Sequence, residues 1–153
     1  MEKILVVSDN HGRTRQLDEL KKLYNSFKYK VHLGDSELSA DYLKDFITVR
    51  GNNDFGGEFE KYVIFEVEGH RILAIHGDRY VYGTHRELLV SLAKENYCDM
   101  VLFGHTHVFE YQTIAGVHLI NPGSLSYNRD RSPISYAVVS IDGNKIKVER
   151  KNI

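Results

Sequence analysis

Residues 3–12 read KILVVSDNHG: a β-branched apolar run, Lys3–Val7, breaks at Ser8 into Asp9, Asn10, His11 and Gly12. A run this short, apolar throughout and closed by turn-forming residues, reads as a buried strand. The segment RQLDELKKLY (15–24) that follows carries Leu17, Leu20 and Leu23 at helical spacing. YKVHL (29–33) reads as the next strand and SADYLKDF (39–46) as a short helix with Ser39 at its N-cap. FITVR (46–50) reads as a third strand. Strand, helix, strand, helix, strand in so little chain implies a parallel βαβαβ unit.

Beyond residue 60 the pattern changes. KYVIFEVEGHRILAIH (61–76) is two strands meeting at Glu68-Gly69, an antiparallel hairpin. THRELLVSLAKENY (84–97) is an amphipathic helix and MVLF (100–103) another buried strand. VFEYQTI (108–114), VHLI (117–120), SYAVVSI (135–141) and KIKVER (145–150) are strands separated by turns at Ala115-Gly116 and Asp142-Gly143-Asn144. The expected fold class is α/β, a four-layer α-β-β-α sandwich of two mixed β-sheets flanked by helices, with residues 1–153 as one domain. With 153 residues, 42% of them apolar, the chain is long enough to bury such a core.

Charge and cysteine content narrow the function. Twenty Lys and Arg oppose twenty-one Asp and Glu, which argues against an extended nucleic-acid surface. Cys98 is the only cysteine, which rules out an internal disulfide framework or a thiolate cluster. The opening MEKILVVSDNHG has no long apolar segment, and no stretch has the length to cross a bilayer, so a cytoplasmic protein without a membrane partner is expected. A homo-oligomer stays open.

Six apolar strands end in the same kind of residue. The ends are Ser8-Asp9-Asn10-His11-Gly12, Gly34-Asp35, Gly51-Asn52-Asn53-Asp54, His76-Gly77-Asp78, Gly104-His105-Thr106-His107 and Asn121-Pro122-Gly123-Ser124. Ligand sites of α/β sheets lie at the carboxyl ends of strands, and glycine lets the backbone turn sharply there. Turn formation alone would explain Gly, Asn and Asp but not histidine, and four of the eight histidines fall at three of these ends. His32, His70, His85 and His118 lie elsewhere and read as structural.

Asp9 and His11, two residues apart as the chain leaves a strand, can reach one cation. His105 and His107 have the same spacing but could serve one ion or two neighbours. Asp35 has two oxygens with which to bridge, Asn52 offers an amide oxygen and His76 an imidazole nitrogen. A mixed N/O set without thiolate suits Mn²⁺, Fe²⁺, Ni²⁺ or Zn²⁺ at expanded coordination, and not a closed structural zinc site. Two divalent ions against two carboxylates leave a surplus of about two positive charges, fitted to a phosphate ester and to lowering the pKa of bound water.

In order, Asp-x-His, Gly-Asp, Gly-Asn-x-Asp, His-Gly-Asp and Gly-His-Thr-His resemble the calcineurin-like metallophosphoesterase superfamily. The short length and the GHTH…NPGS ending resemble its small YfcE-like phosphodiesterase branch. The resemblance implies one ion on Asp9, His11, Asp35 and His107, and another on Asp35, Asn52, His76 and His105, with Asp35 shared. It implies two divalent cations, Mn²⁺ foremost with Ni²⁺, Zn²⁺, Fe²⁺ or Mg²⁺ as alternatives, and a bridging hydroxide that attacks the phosphorus of a small phosphoester in line. Asn10, Arg13 and the 121–124 loop are expected to hold phosphoryl oxygens, and Asp54 and Asp78 to orient the ligands. Asn53 stands where many larger members carry a histidine; it can face substrate but cannot act as a general acid. The resemblance therefore points to a phosphodiesterase best on activated esters. The alternatives are a phosphomonoesterase or nucleotidase with the same metals, and a non-catalytic protein-interaction scaffold on the same fold.

Overall fold

The computed structural model describes residues 1–80 and 85–153. Its elements are β1 (Glu2–Val7), α1 (Arg15–Leu23), β2 (Tyr29–His32), β3 (Ile47–Thr48), β4 (Tyr62–Val67) and β5 (His70–Ile75), followed by a 3₁₀ turn (Asp78–Tyr80). Then come α2 (His85–Glu95), β6 (Met100–Phe103), β7 (Phe109–Ile114), β8 (Val117–Pro122), β9 (Ser135–Asp142) and β10 (Lys145–Asn152). They form two five-stranded sheets, ordered β10-β9-β1-β2-β3 and β4-β5-β6-β8-β7. Both are mixed: β1, β2 and β3 run parallel, as do β5, β6 and β8, with antiparallel strands on their flanks.

The alternation of β1 explains the layering. Ile4 and Val6 point between the sheets, onto Ile72, Ala74, Leu102 and Val139. Leu5 and Val7 point outward, where Leu17 and Leu20 of α1 cover them. On the far sheet Leu73, Val101 and Phe103 meet Leu89, Val90 and Ala93 of α2. Burial on both faces is what made these strands continuous apolar runs in the sequence.

Three expectations change. Residues 39–46 form turns with i→i+3 bonds, Leu43 N–H to the Ala40 carbonyl (3.2 Å) and Phe46 N–H to that of Leu43 (2.8 Å), and no α-helix. Ser39 Oγ still accepts from Tyr42 N–H (3.3 Å), but Leu43 and Phe46 alone bury the segment, which is too short to nucleate a helix. The third strand shrinks from 46–50 to Ile47–Thr48, because Phe46 belongs to the preceding turn and Val49 makes only an isolated bridge to Glu60. The second helix begins at His85; Thr84 lies outside the described residues.

Candidate metal centre

Past the ends of β1 and β2 the two segments keep pairing. Asp9 N–H donates to the Gly34 carbonyl (3.0 Å), His11 N–H to that of Asp35 (3.0 Å) and Gly12 N–H to that of Ser36 (2.8 Å). Within this lattice Asp9 (φ 58°), His11 (46°) and Asp35 (55°) adopt left-handed backbone, and His105 (68°) and His107 (58°) do the same on the opposite sheet. Such a conformation costs an L-residue on the order of 1 kcal/mol and persists where surrounding bonds over-determine it, commonly at functional sites. Asp9 and His11 thus meet through left-handed turns and not through the strand alternation expected of their spacing.

All seven expected ligands converge in two groups. Asp9, His11 and His107 bring one donor atom each within 4.8 Å of one another, and so do Asp35, His76 and His105. Asp35 Oδ2 lies between the groups, 3.8 Å from His11 Nε2 and 3.4 Å from His76 Nε2. The Asn52 amide oxygen sits 2.9 Å from His76 Nε2 and 3.1 Å from His105 Nδ1.

The proton inventory tests whether a cation fits. His107 Nδ1–H donates to the Tyr127 carbonyl (2.9 Å), and His11 Nδ1 faces a Glu37 carboxylate oxygen (3.3 Å). Both partners are acceptors, so either ring in its neutral form turns a bare Nε2 inward. Those two nitrogens lie 3.2 Å apart. Asp9 Oδ2 is held by His105 N–H (3.0 Å) and the Ser8 hydroxyl, whereas Asp9 Oδ1, fully buried, has no hydrogen-bond partner among the described residues. That oxygen lies 3.3 Å from His107 Nε2 and 3.8 Å from His11 Nε2. Three lone pairs aimed at one point are unfavourable without a cation and suited to one.

The second group shows the same demand. Burial pushes the Asp35 carboxyl up, but His76 and the Asn53 donors outweigh it and hold its pKa below the ordinary 3.8. Asp9 is likewise held low, burial being outweighed by His107, His76 and Ser8. Burial disfavours a charged His76, yet Asp35 and Asp9 together raise its pKa to about 9. The positive charge that Asp35 and Asp9 favour on His76 is of the kind a bound cation would supply.

Comparison with known proteins agrees with the chemistry of these donors. Residues 2–144 match the family model of the calcineurin-like phosphoesterase superfamily domain. The chain belongs to that superfamily. It is 31% identical over 150 residues to the probable metallophosphoesterase YsnB of Bacillus subtilis, covering 95% of this chain and 88% of YsnB. It is 25% identical over 146 residues to a phosphodiesterase of Methanocaldococcus jannaschii, covering 79% of this chain and 82% of that one. The crystal structure of a predicted phosphoesterase from Streptococcus pneumoniae superposes with a TM-score of 0.92 at 29% identity, covering 99% of this chain and 89% of that one.

Within this calcineurin-like phosphoesterase the remaining expected residues divide. Asn10 is buried and its amide is spent inside the protein: Nδ2 donates to the Arg13 (2.9 Å) and Ser36 (3.2 Å) carbonyls, and Oδ1 meets His32 Nε2 (2.8 Å). Asn121 and Ser124 are buried too, the first bound to the Gly104 carbonyl and the second to that of Asp9. The side chains of these three brace the loops. Arg13 is exposed, with one bond from Nη1 to the Ser126 carbonyl (3.3 Å). Asn53 does reach the site: its N–H (2.8 Å) and Nδ2 (3.0 Å) grip the two oxygens of Asp35. Asp54 accepts from the backbone of Asp35, Gly51 and Glu37 (2.8, 2.8 and 2.9 Å), so it orders the loops themselves and touches no ligand side chain. Asp78 makes no hydrogen bond among the described residues through its side chain. Glu37 and Tyr127 were not foreseen; Glu37 follows the Gly-Asp end by two residues, but Tyr127 acts through its carbonyl, which no side-chain pattern reveals.

Proposed function

We propose that this chain is a dinuclear metal-dependent phosphodiesterase, with Mn²⁺ as the foremost metal. The observation that carries the reading is the orphaned Asp9 Oδ1 among inward-facing histidine nitrogens, beside a second group that shares Asp35. Asp9, His11, Asp35 and His107 would hold one cation, and Asp35, Asn52, His76 and His105 the other. Bound there, two divalent ions polarise phosphoryl oxygens and lower the pKa of water to near 7, sufficient for in-line hydrolysis of a phosphoester.

The protein's own contribution is placement. Leu33 and Tyr127 carbonyls fix the tautomers of His76 and His107 by accepting from Nδ1 (2.7 and 2.9 Å). Asn53 fixes the rotation of Asp35 but brings no proton to a departing alkoxide. Activated diesters, whose leaving groups need no acid, are the substrates this favours, and the diesterase name of the M. jannaschii relative supports the same class. The buried thiol of Cys98 is at home in the reducing cytoplasm.

The test is hydrolysis of bis(p-nitrophenyl) phosphate and p-nitrophenyl phosphate by metal-stripped protein as Mn²⁺ is restored. Faster cleavage of the diester is expected. Faster monoester cleavage would reassign the enzyme as a phosphomonoesterase, and no turnover with any divalent ion would leave a scaffold.

A further inference from the structure

On the Asn52 side of the centre a groove of about 510 Å³ opens, sharing Asn52, Gly77 and Asp78 with the loops just described. Its size is in the usual range for small-ligand sites. Two features of its wall are not needed by the fold. Phe55 is 86% exposed and Tyr62 47% exposed, so both rings present flat apolar faces to solvent directly beside the ligand loop. Arg50, Lys61 and Arg79 also line it, and none of the three forms an ion pair among the described residues. Of the groove's two carboxylates, Asp54 is occupied by three backbone N–H groups, and Asp78 lies within ion-pair distance of none of the cations.

From this juxtaposition we infer that the groove binds a nucleotide arm of the substrate: a diester whose retained alcohol is a nucleoside carrying a further phosphate. The reacting phosphate belongs to the metal centre, so three additional cations call for a second anion on the same molecule. Exposed rings beside those cations suit a base, since every nucleobase offers a π-face for stacking. A plain alkyl or aryl diester would leave the cations unanswered. The inference rests on the phosphodiesterase reading and narrows it to one substrate class.

Three diesters with the same p-nitrophenolate leaving group separate the two statements: methyl p-nitrophenyl phosphate, thymidine 5′-(p-nitrophenyl phosphate), and the latter with a 3′-phosphate. In the Mn²⁺-loaded protein kcat/KM is expected to rise about tenfold for the base and about tenfold again for the added phosphate, the gains that stacking and charge-assisted pairing bring. Phe55→Ala should compress the first step and Arg79→Ala the second, each selectivity ratio falling at least fivefold. A flat series in the wild type, or variants that slow all three esters alike, overturns the groove while leaving the phosphodiesterase intact. Calorimetric binding of thymidine 3′,5′-bisphosphate to the metal-stripped protein gives a readout free of turnover. Binding weakened by Arg79→Ala and by added salt supports the groove. If no ester is cleaved yet this binding persists, the enzyme reading alone falls; absence of binding refutes the nucleotide arm.

Discussion

Gly51 and Gly104 show how a single residue can be fixed by what lies beside it. Both have ordinary backbone φ, so neither is there for a left-handed turn. A Cβ on Gly51 would lie 2.1 Å from Asp35 Oδ1, and one on Gly104 2.8 Å from Asp9 Oδ2. The Cβ on Gly51 would also lie 2.3 Å from the Asp35 backbone nitrogen. Gly51→Ala is therefore expected to shift the Asp35 backbone along with its carboxylate, lowering stability by about 1–3 kcal/mol and weakening Mn²⁺ binding at least about tenfold. Urea unfolding and calorimetry measure the two effects, and unaltered Mn²⁺ affinity would show that Asp35 is not a ligand. Asn53 is the second informative residue. Asn53→His should raise the rate on alkyl esters relative to aryl esters, up to about 10²-fold, by supplying an acid; equal relative rates would refute the idea that the missing acid limits this enzyme.

At the scale of an element, β5 links two histidines with different tasks. Its C-terminal end delivers His76 to the metal centre, and its first residue, His70, pins the sheets together at the opposite end. His70 Nδ1 meets Asp99 (2.6 Å), just before β6, while Nε2 meets the Gly143 carbonyl (2.6 Å) in the β9–β10 turn of the other sheet. Both partners only accept, so the clamp needs both ring protons and hence a charged imidazolium. Burial opposes that charge, but the Gly143 and Asp99 bonds prevail and raise the pKa above 6.5. The sign follows: the stabilisation is complete below 6.5 and is lost as pH climbs through the raised folded value. The urea midpoint should fall over that alkaline window, and the fall should be shallower in His70→Gln; identical slopes would exclude the clamp. His32 acts in the other direction. Full burial lowers its pKa to about 4, so its contribution is present above 6.5 and disappears as pH drops toward 4.

For the whole molecule, the candidate ligands come from both sheets. Asp9, His11, Asp35 and Asn52 follow strands of one sheet, and His76, His105 and His107 follow strands of the other. A cation bound between them ties the sheets together, so metal must stabilise the fold. At a free concentration one hundred times Kd the gain is about 2.7 kcal/mol, readable as a rise in Tm when Mn²⁺ is added to stripped protein. His107→Ala should abolish both that rise and hydrolysis. A full Mn²⁺-dependent rise in this variant would place the metal elsewhere.

The sequence by itself determined the layered architecture and which polar side chains gather at the strand ends, because both are written in side-chain type. Short continuous apolar runs such as Ile4–Val7 and Met100–Phe103, closed by turn residues, read as strands buried on both faces, and histidine at strand ends is poorly explained by turns. It did not determine the 39–46 turns, since two buried residues leave helix and turn nearly balanced until Phe46 packs under α1. Nor did it separate Asn53, which grips Asp35, from Asn10, Asn121 and Ser124, which brace the loops, because these residue types make the same hydrogen bonds to backbone or to ligand. Tertiary structure decided that question through burial. Only folding determines which polar groups are sealed against backbone carbonyls and which are left facing an open site.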